Sequence, residues 1–167
     1  VTQAKTDFAV KCSKLAGSLT VESLRRALED EGIHLSARDV FIHGVPVEID
    51  LLMPRPGAVP RSGLVYEPCD VLAALEVKNS GAYGAQTLES IRRAFGLIRA
   101  ANPRILCVYV TLSERMGYRW AATDKNLGAR AFTLFWHDGS RKGPSYRPSG
   151  DWSRLVAELV GLGRANS

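Results

Sequence analysis

The sequence contains no apolar run near the roughly 20 residues that span a bilayer, and no apolar leader at its start. Neither a membrane span nor a secretory signal is therefore expected. Cysteine is scarce and odd in number: Cys12, Cys69 and Cys107 lie far apart and form no Cys-x-x-Cys pair. That argues against a disulfide framework and a zinc knuckle, and points to a reducing, cytoplasmic setting. His34, His43 and His137 do not fall at zinc-ligand spacing. Internal repeats and low-complexity tracts are absent, and no nucleophile–base pair stands out to suggest covalent catalysis.

What is present is the composition of an ordinary globular protein, 46% hydrophobic and 23% charged. A chain of 167 residues is expected to form a single domain over 1–167, large enough to bury a core without staples. The first residue is valine, which leaves open that the sequence is an excerpt of a longer protein. The net charge of +5 is mild, its excess lying in Arg25, Arg26, Arg92, Arg93, Arg99, Arg104, Arg130 and the stretch 141–147. It suits a polyanionic partner and suits a solvated basic surface equally.

Along the chain, Val21, Leu24 and Leu28 recur at helical spacing, predicting a helix over 19–31 with Ser18 or Thr20 as cap and Gly32 as stop. Residues 39–43 read as a short strand. A second strand over 47–53 alternates, placing Glu48, Asp50 and Leu52 on one face and Val47, Ile49 and Leu51 on the other. Prolines and glycines make 54–68 a loop. Residues 71–78 form a third strand, apolar until Glu76, and 79–84 a glycine-containing connection. Leu88, Ile91, Phe95 and Ile98 give the buried stripe of a helix over 86–100. Strands are expected at 105–110 and 131–136, with a short helix between them near 120–123 and a polar loop after them. A last helix over 151–162 is capped by Asp151 and buries Trp152, Leu155, Val156, Leu159 and Val160. The expected order is α-β-β-β-α-β-(α)-β-α: an α/β fold with a mixed central sheet, antiparallel early and parallel later, flanked by helices on both faces.

Charged residues are costly in strands that otherwise read as core, yet Asp50 and Glu76 both sit in such strands. The i, i+2 spacing of Glu76 and Lys78 puts both on one strand face. If the Asp50 strand is the neighbour, two carboxylates and an ammonium meet at one edge of the sheet. Clustered carboxylates repel unless a cation lies between them, and an all-oxygen set suits magnesium or manganese. A surface salt-bridge ladder is the competing reading of these residues.

The stretches Val-Glu-Ile-Asp-Leu-Leu (47–52) and Ala-Leu-Glu-Val-Lys-Asn-Ser (74–80) make the sequence resemble the PD-(D/E)XK nucleases, which have the restriction-endonuclease-like fold. The resemblance runs over a core of about 18–136. It implies a Mg2+-dependent DNA nuclease, with Mn2+ able to substitute. Asp50 and Glu76 would bind the metal, with the backbone carbonyl of Val77 as a further ligand and Lys78 acting at the water or phosphate. First helices of such proteins carry a Glu-x-x-Leu-x-x-x-Leu-x-x-x-Gly pattern. Glu22, Leu24, Leu28 and Gly32 follow it offset by one, making Glu22 a metal-ligand candidate as well as a residue suited to a helix dipole. The RecB-like and Holliday-junction-resolvase-like branches place a glutamine early in the next helix, where Gln86 stands. Tyr83 is a candidate substrate contact. Ile49 stands where the motif's name has proline. Expected partners are DNA and either a second copy in a homodimer or a larger protein machine. A nuclease acting on RNA, and a silent binding or assembly module with the same fold, are the alternatives.

Overall fold

A strand that is apolar at every position can be covered on both faces, and residues 71–75 meet that description. In the computed structural model, which describes residues 2–80, 85–115, 127–140 and 145–166, with side chains of the first helix from Leu15 onward, that strand lies inside a five-stranded sheet. The elements run α1 (Thr2–Asp30), β1 (Phe41–Ile42), β2 (Leu51–Pro54), β3 (Val65–Tyr66), a 3-10 turn (Pro68–Asp70), β4 (Val71–Ser80), α2 (Ala85–Ala101), β5 (Leu106–Arg115), β6 (Arg130–His137), β7 (Tyr146–Pro148) and α3 (Asp151–Arg164). The sheet order is β2-β4-β5-β6-β7, with β4, β5 and β6 parallel and the edges β2 and β7 antiparallel. The mixed sheet flanked by helices is the architecture expected from the sequence.

Each face of the sheet has its own core. Val21, Leu24 and Leu28 of α1 and Leu155 and Leu159 of α3 pack on Leu51, Leu75, Val108 and Phe132. Ile91, Phe95 and Ile98 of α2 pack on Leu52, Ala74, Cys107 and Tyr109 from the other side. Alternate residues of β5 thus serve opposite layers, as the period of two requires. Truncating a fully buried leucine such as Leu75 or Leu155 removes contacts from one of these layers at a typical cost of about 2–5 kcal/mol. Among the described residues no helix is long and apolar enough to cross a membrane.

The structure departs from the sequence expectations in instructive places. The first helix begins at Thr2 rather than near residue 19, so Ser18 and Thr20 lie inside it and neither caps it. The Thr20 hydroxyl donates back to Ala16 O at 2.9 Å, a bond made inside a helix. The expected stop holds: Gly32 has φ 80°, and Gly32 N and Ile33 N donate to Glu29 O and Leu28 O. The strand expected over 47–53 starts only at Leu51, preceded by a bend at Asp50 and a lone bridge between Val40 and Ile49. The bend breaks the period of two, so Ile49 and Leu52 share one core while Leu51 belongs to the other. Residues 65–66, read as loop, form β3 and pair in parallel with β1 in a separate two-stranded sheet. β7 was also read as loop, because its residues are all exposed and show no apolar alternation. Gly150, at φ 87°, and not Asp151 occupies the cap of α3. Asp151 instead accepts a hydrogen bond from Thr133 N at 3.0 Å, tying the helix to β6. The short helix expected near 120–123 falls outside the described residues.

Candidate active site

The antiparallel register pairs Leu51 with Leu75, so the next step along both strands sets Asp50 beside Glu76. The ladder ends there because the chain bends at Asp50. The Asp50 side chain takes over the missing strand's role: its Oδ2 accepts the Val77 N–H at 2.7 Å. Glu76 and Lys78 project from one face of β4 and form an ion pair between Oε1 and Nζ. Asp50, Glu76 and Lys78, predicted to meet from residue spacing, therefore do meet. They lie where β4 emerges toward its carboxyl end, an edge where open parallel sheets commonly bind ligands.

Burial is the leading influence on both carboxyls. It pushes Asp50 above the usual carboxylate value, Asp39 adds to the push, and the Val77 N–H and Lys78 oppose it. Glu76 is raised chiefly by burial, with Lys78 opposing and the negative charges of Asp50 and Glu48 adding. For Lys78 burial works the other way, but the neighbouring Glu76 and Asp50 outweigh it and the ammonium is held more firmly charged. Both carboxyls are thus held nearer their neutral form than free carboxyls, with Lys78 offsetting part of the shift.

A cleft of about 600 Å³ opens beside this group, lined by Asp50, Val77 and Lys78, by Ser18 and Val21 of α1 and by Arg38, Asp39 and Glu48, while Glu76 is not among its lining residues. The charged walls Arg38, Asp39 and Glu48 were not singled out as site residues by the sequence. Asp39 adopts φ 56°, a left-handed conformation that aspartate tolerates, and its N–H donates to Asp50 O at 3.4 Å. That turn carries Arg38 toward α1, where Nη1 donates to Ser18 O at 3.0 Å. Glu48, expected to be an exposed strand carboxylate, is exposed but lines the cleft. No periodic pattern marks such residues, because a bend and a turn bring them in.

The other candidates are placed differently. Glu22 accepts hydrogen bonds from Arg25 at 2.8 Å and 3.0 Å and from Arg26 at 2.8 Å. These bonds, Arg25 first, hold its pKa down to about 2. The α1 residues lining the cleft are Ala16, Gly17, Ser18 and Val21, and do not include Glu22. Gln86 is exposed in the first turn of α2 and is not among the cleft-lining residues. Tyr83 and residues 141–144 of the basic stretch lie outside the described residues, while Arg147 is exposed on β7. Trp152 packs beside the α1–α3 core. Among the described residues no three of His, Cys, Asp and Glu converge as a metal cage. A cation here would draw on two carboxylates and backbone oxygen.

No family model matches the chain, and no curated protein is found similar to it in sequence. Among solved structures it is similar to NucC of P. aeruginosa ATCC27853 in a cAAA-bound form, with 14% identity, 90% of this chain and 91% of that one covered, and a TM-score of 0.48. It is also similar to NucC of E. coli MS115-1 in its apo form, with 16% identity, 87% and 92% coverage, and a TM-score of 0.47.

Proposed function

We propose that this chain is a metal-dependent nuclease that hydrolyses DNA phosphodiester bonds, with Asp50, Glu76 and Lys78 as its chemical centre. The observation that carries the reading is the convergence of Asp50, at the bend before β2, and Glu76 of β4, with Lys78 paired to Glu76 and lining a cleft together with Asp50. A surface salt-bridge ladder does not account for two carboxyls raised by burial, with Asp39 adding at Asp50 and Asp50 and Glu48 adding at Glu76.

The donor set fits a hard divalent cation. Asp39, Glu48 and Asp50 line the cleft against Arg38 and Lys78, and Glu76 is paired to Lys78, so carboxylates outnumber cations here and the site favours a cation over a phosphate until a cation is held. Asp50 and Glu76 would hold Mg2+ or Mn2+. In a strand, the N–H and C=O of one residue point to the same edge, so the Val77 carbonyl faces the side on which its N–H meets Asp50 and would add an oxygen. The ion, when bound, would lower the pKa of a water and draw charge from the phosphoryl oxygens. Lys78 supplies a fixed positive charge beside the reacting phosphate and opposes the burial that favours the neutral form of Glu76. Asp39, through its N–H to Asp50 O, holds the bend that aims the Asp50 carboxylate. Glu22, committed to Arg25 and Arg26, stabilises α1 in this reading and reaches a metal only by giving up both guanidiniums.

The test is incubation with supercoiled, linear, single-stranded and branched DNA, and with RNA, in Mg2+, Mn2+ or EDTA. Cleavage of DNA with either metal and none in EDTA is expected. Binding without cutting of any form would replace the nuclease reading with that of a binding module, and cutting of RNA alone would change the substrate.

A further inference from the structure

A second hollow, of about 380 Å³, lies beside the catalytic cleft and shares two of its walls, Asn79 and Ser80. These are the residues directly after Lys78 on β4, so the hollow begins within about 7 Å of the lysine along the strand. Its remaining walls are Leu112 and Ser113 of β5, Phe135 of β6 and Tyr146 of β7. Two of them are large aromatic rings left in solvent: Phe135 is 38% exposed and Tyr146 57%. Around the rings stand small polar groups, the Asn79 amide and the hydroxyls of Ser80 and Ser113. Ser113 Oγ donates to Asn79 O at 3.3 Å, and the Thr20 hydroxyl lies 3.0 Å from Asn79 Oδ1, so the floor of the hollow is held in place. The register that pairs Ser113 with Phe135, Phe135 with Pro148 and His137 with Tyr146 fixes the aromatic side. Tyr146 also lies against the His137 ring, with centroids 5.9 Å apart.

We infer that this hollow receives a nucleobase of the strand whose phosphate lies at Lys78, so that the preferred substrate is DNA with an unpaired base beside the cleaved bond. The inference rests on the nuclease reading for its placement, and on the hollow's own chemistry for its ligand. Exposed aromatic faces with amide and hydroxyl groups at their rim are what an unstacked base needs: a flat apolar surface and hydrogen-bonding partners at its edge. A base inside a duplex already has both faces covered and gains nothing from Phe135 or Tyr146. The shared walls Asn79 and Ser80 join the base to its own backbone phosphate over the reach of one sugar–phosphate unit.

The experiment uses a single-stranded oligodeoxynucleotide carrying 2-aminopurine and a duplex of the same sequence, with Ca2+ in place of Mg2+ so that binding is read without turnover. Stacking in the hollow should quench the fluorescence of the single strand. Tyr146→Ala and Phe135→Ala should each weaken single-strand binding roughly tenfold and relieve the quench, while Tyr146→Phe keeps both and duplex binding changes little. Melting curves check that each variant is folded. Tyr146 is exposed on a short edge strand, so Tyr146→Ser serves as a second replacement if Tyr146→Ala melts early. Folded Tyr146 and Phe135 variants that bind and quench like the parent would overturn the base site, whether or not the protein cuts DNA. A protein that quenches through Tyr146 yet never cuts with Mg2+ would keep the base site and lose the nuclease.

Discussion

Replacing Lys78 with alanine should slow metal-dependent DNA cleavage by about 10²- to 10³-fold, the usual loss when one preorganised charge is taken from a developing transition state. DNA binding should weaken far less, because Lys78 is one phosphate contact among those that the basic surface can offer. The slope of log affinity against log salt should fall by about one or less. Lys78 also offsets the burial of Glu76, so the alanine variant leaves that carboxyl closer to its neutral form. Lys78→Arg separates the two effects: it keeps a charge beside Glu76 but changes the donor's shape, and should recover binding more fully than rate. If Lys78→Ala cleaves as fast as the parent, Lys78 has no part in the chemistry and the mechanism fails at that residue.

At Asp50 the choice of substitution should reverse the sign of the stability change. Burial raises its pKa in the folded state, so the fold holds the Asp50 proton more tightly than the unfolded chain does. Its contribution to stability is therefore present below the unfolded carboxylate range and is lost as pH rises through the folded value. Above that value and without metal, an ionised Asp50 is a net cost. Asp50→Asn removes the charge yet keeps an oxygen for the Val77 N–H, so its Tm in EDTA should equal or exceed that of the parent. Asp50→Ala leaves that N–H unpaired at about 1–3 kcal/mol, a Tm loss of roughly 2–4 °C per kcal/mol for a domain of this size. Both variants should lose cleavage. Both should also lose the stabilisation by Mg2+, which for the parent should reach about 2.7 kcal/mol at a hundredfold excess over Kd. Thermal melts with and without Mg2+ measure all of this. A large drop in Tm for Asp50→Asn would mark Asp50 as structural.

Much of the fold was legible because its strongest signals are local. Glu76 and Lys78 stand out as charges at the end of an otherwise apolar strand, and α2 and α3 show unbroken apolar stripes. The start of α1 was not legible, since a threonine that bonds back to Ala16 looks in sequence like one that caps. Asp50 was found, but its geometry was not. A regular strand through 47–53 was expected, whereas the bend at Asp50 is what frees its carboxylate to reach Val77 N. Arg38 and Asp39 depend on a left-handed turn at a residue other than glycine, which no periodicity announces. The hollow beside Lys78 draws on β4, β5, β6 and β7, the last an exposed edge strand with no apolar pattern of its own. Only the tertiary register brings Asn79 and Tyr146 to the same place.

The central claim is that Asp50 and Glu76 form a cation site. Its most direct test is a crystal of the protein soaked in Mn2+, with the metal located by its anomalous scattering. The account predicts a peak with oxygen ligands from both carboxylates at about 2.0–2.3 Å, on the edge of β4 where Val77 faces Asp50, and no such peak in Asp50→Asn. Carboxylates that remain metal-free at saturating Mn2+, or an ion bound by neither of them, would contradict it.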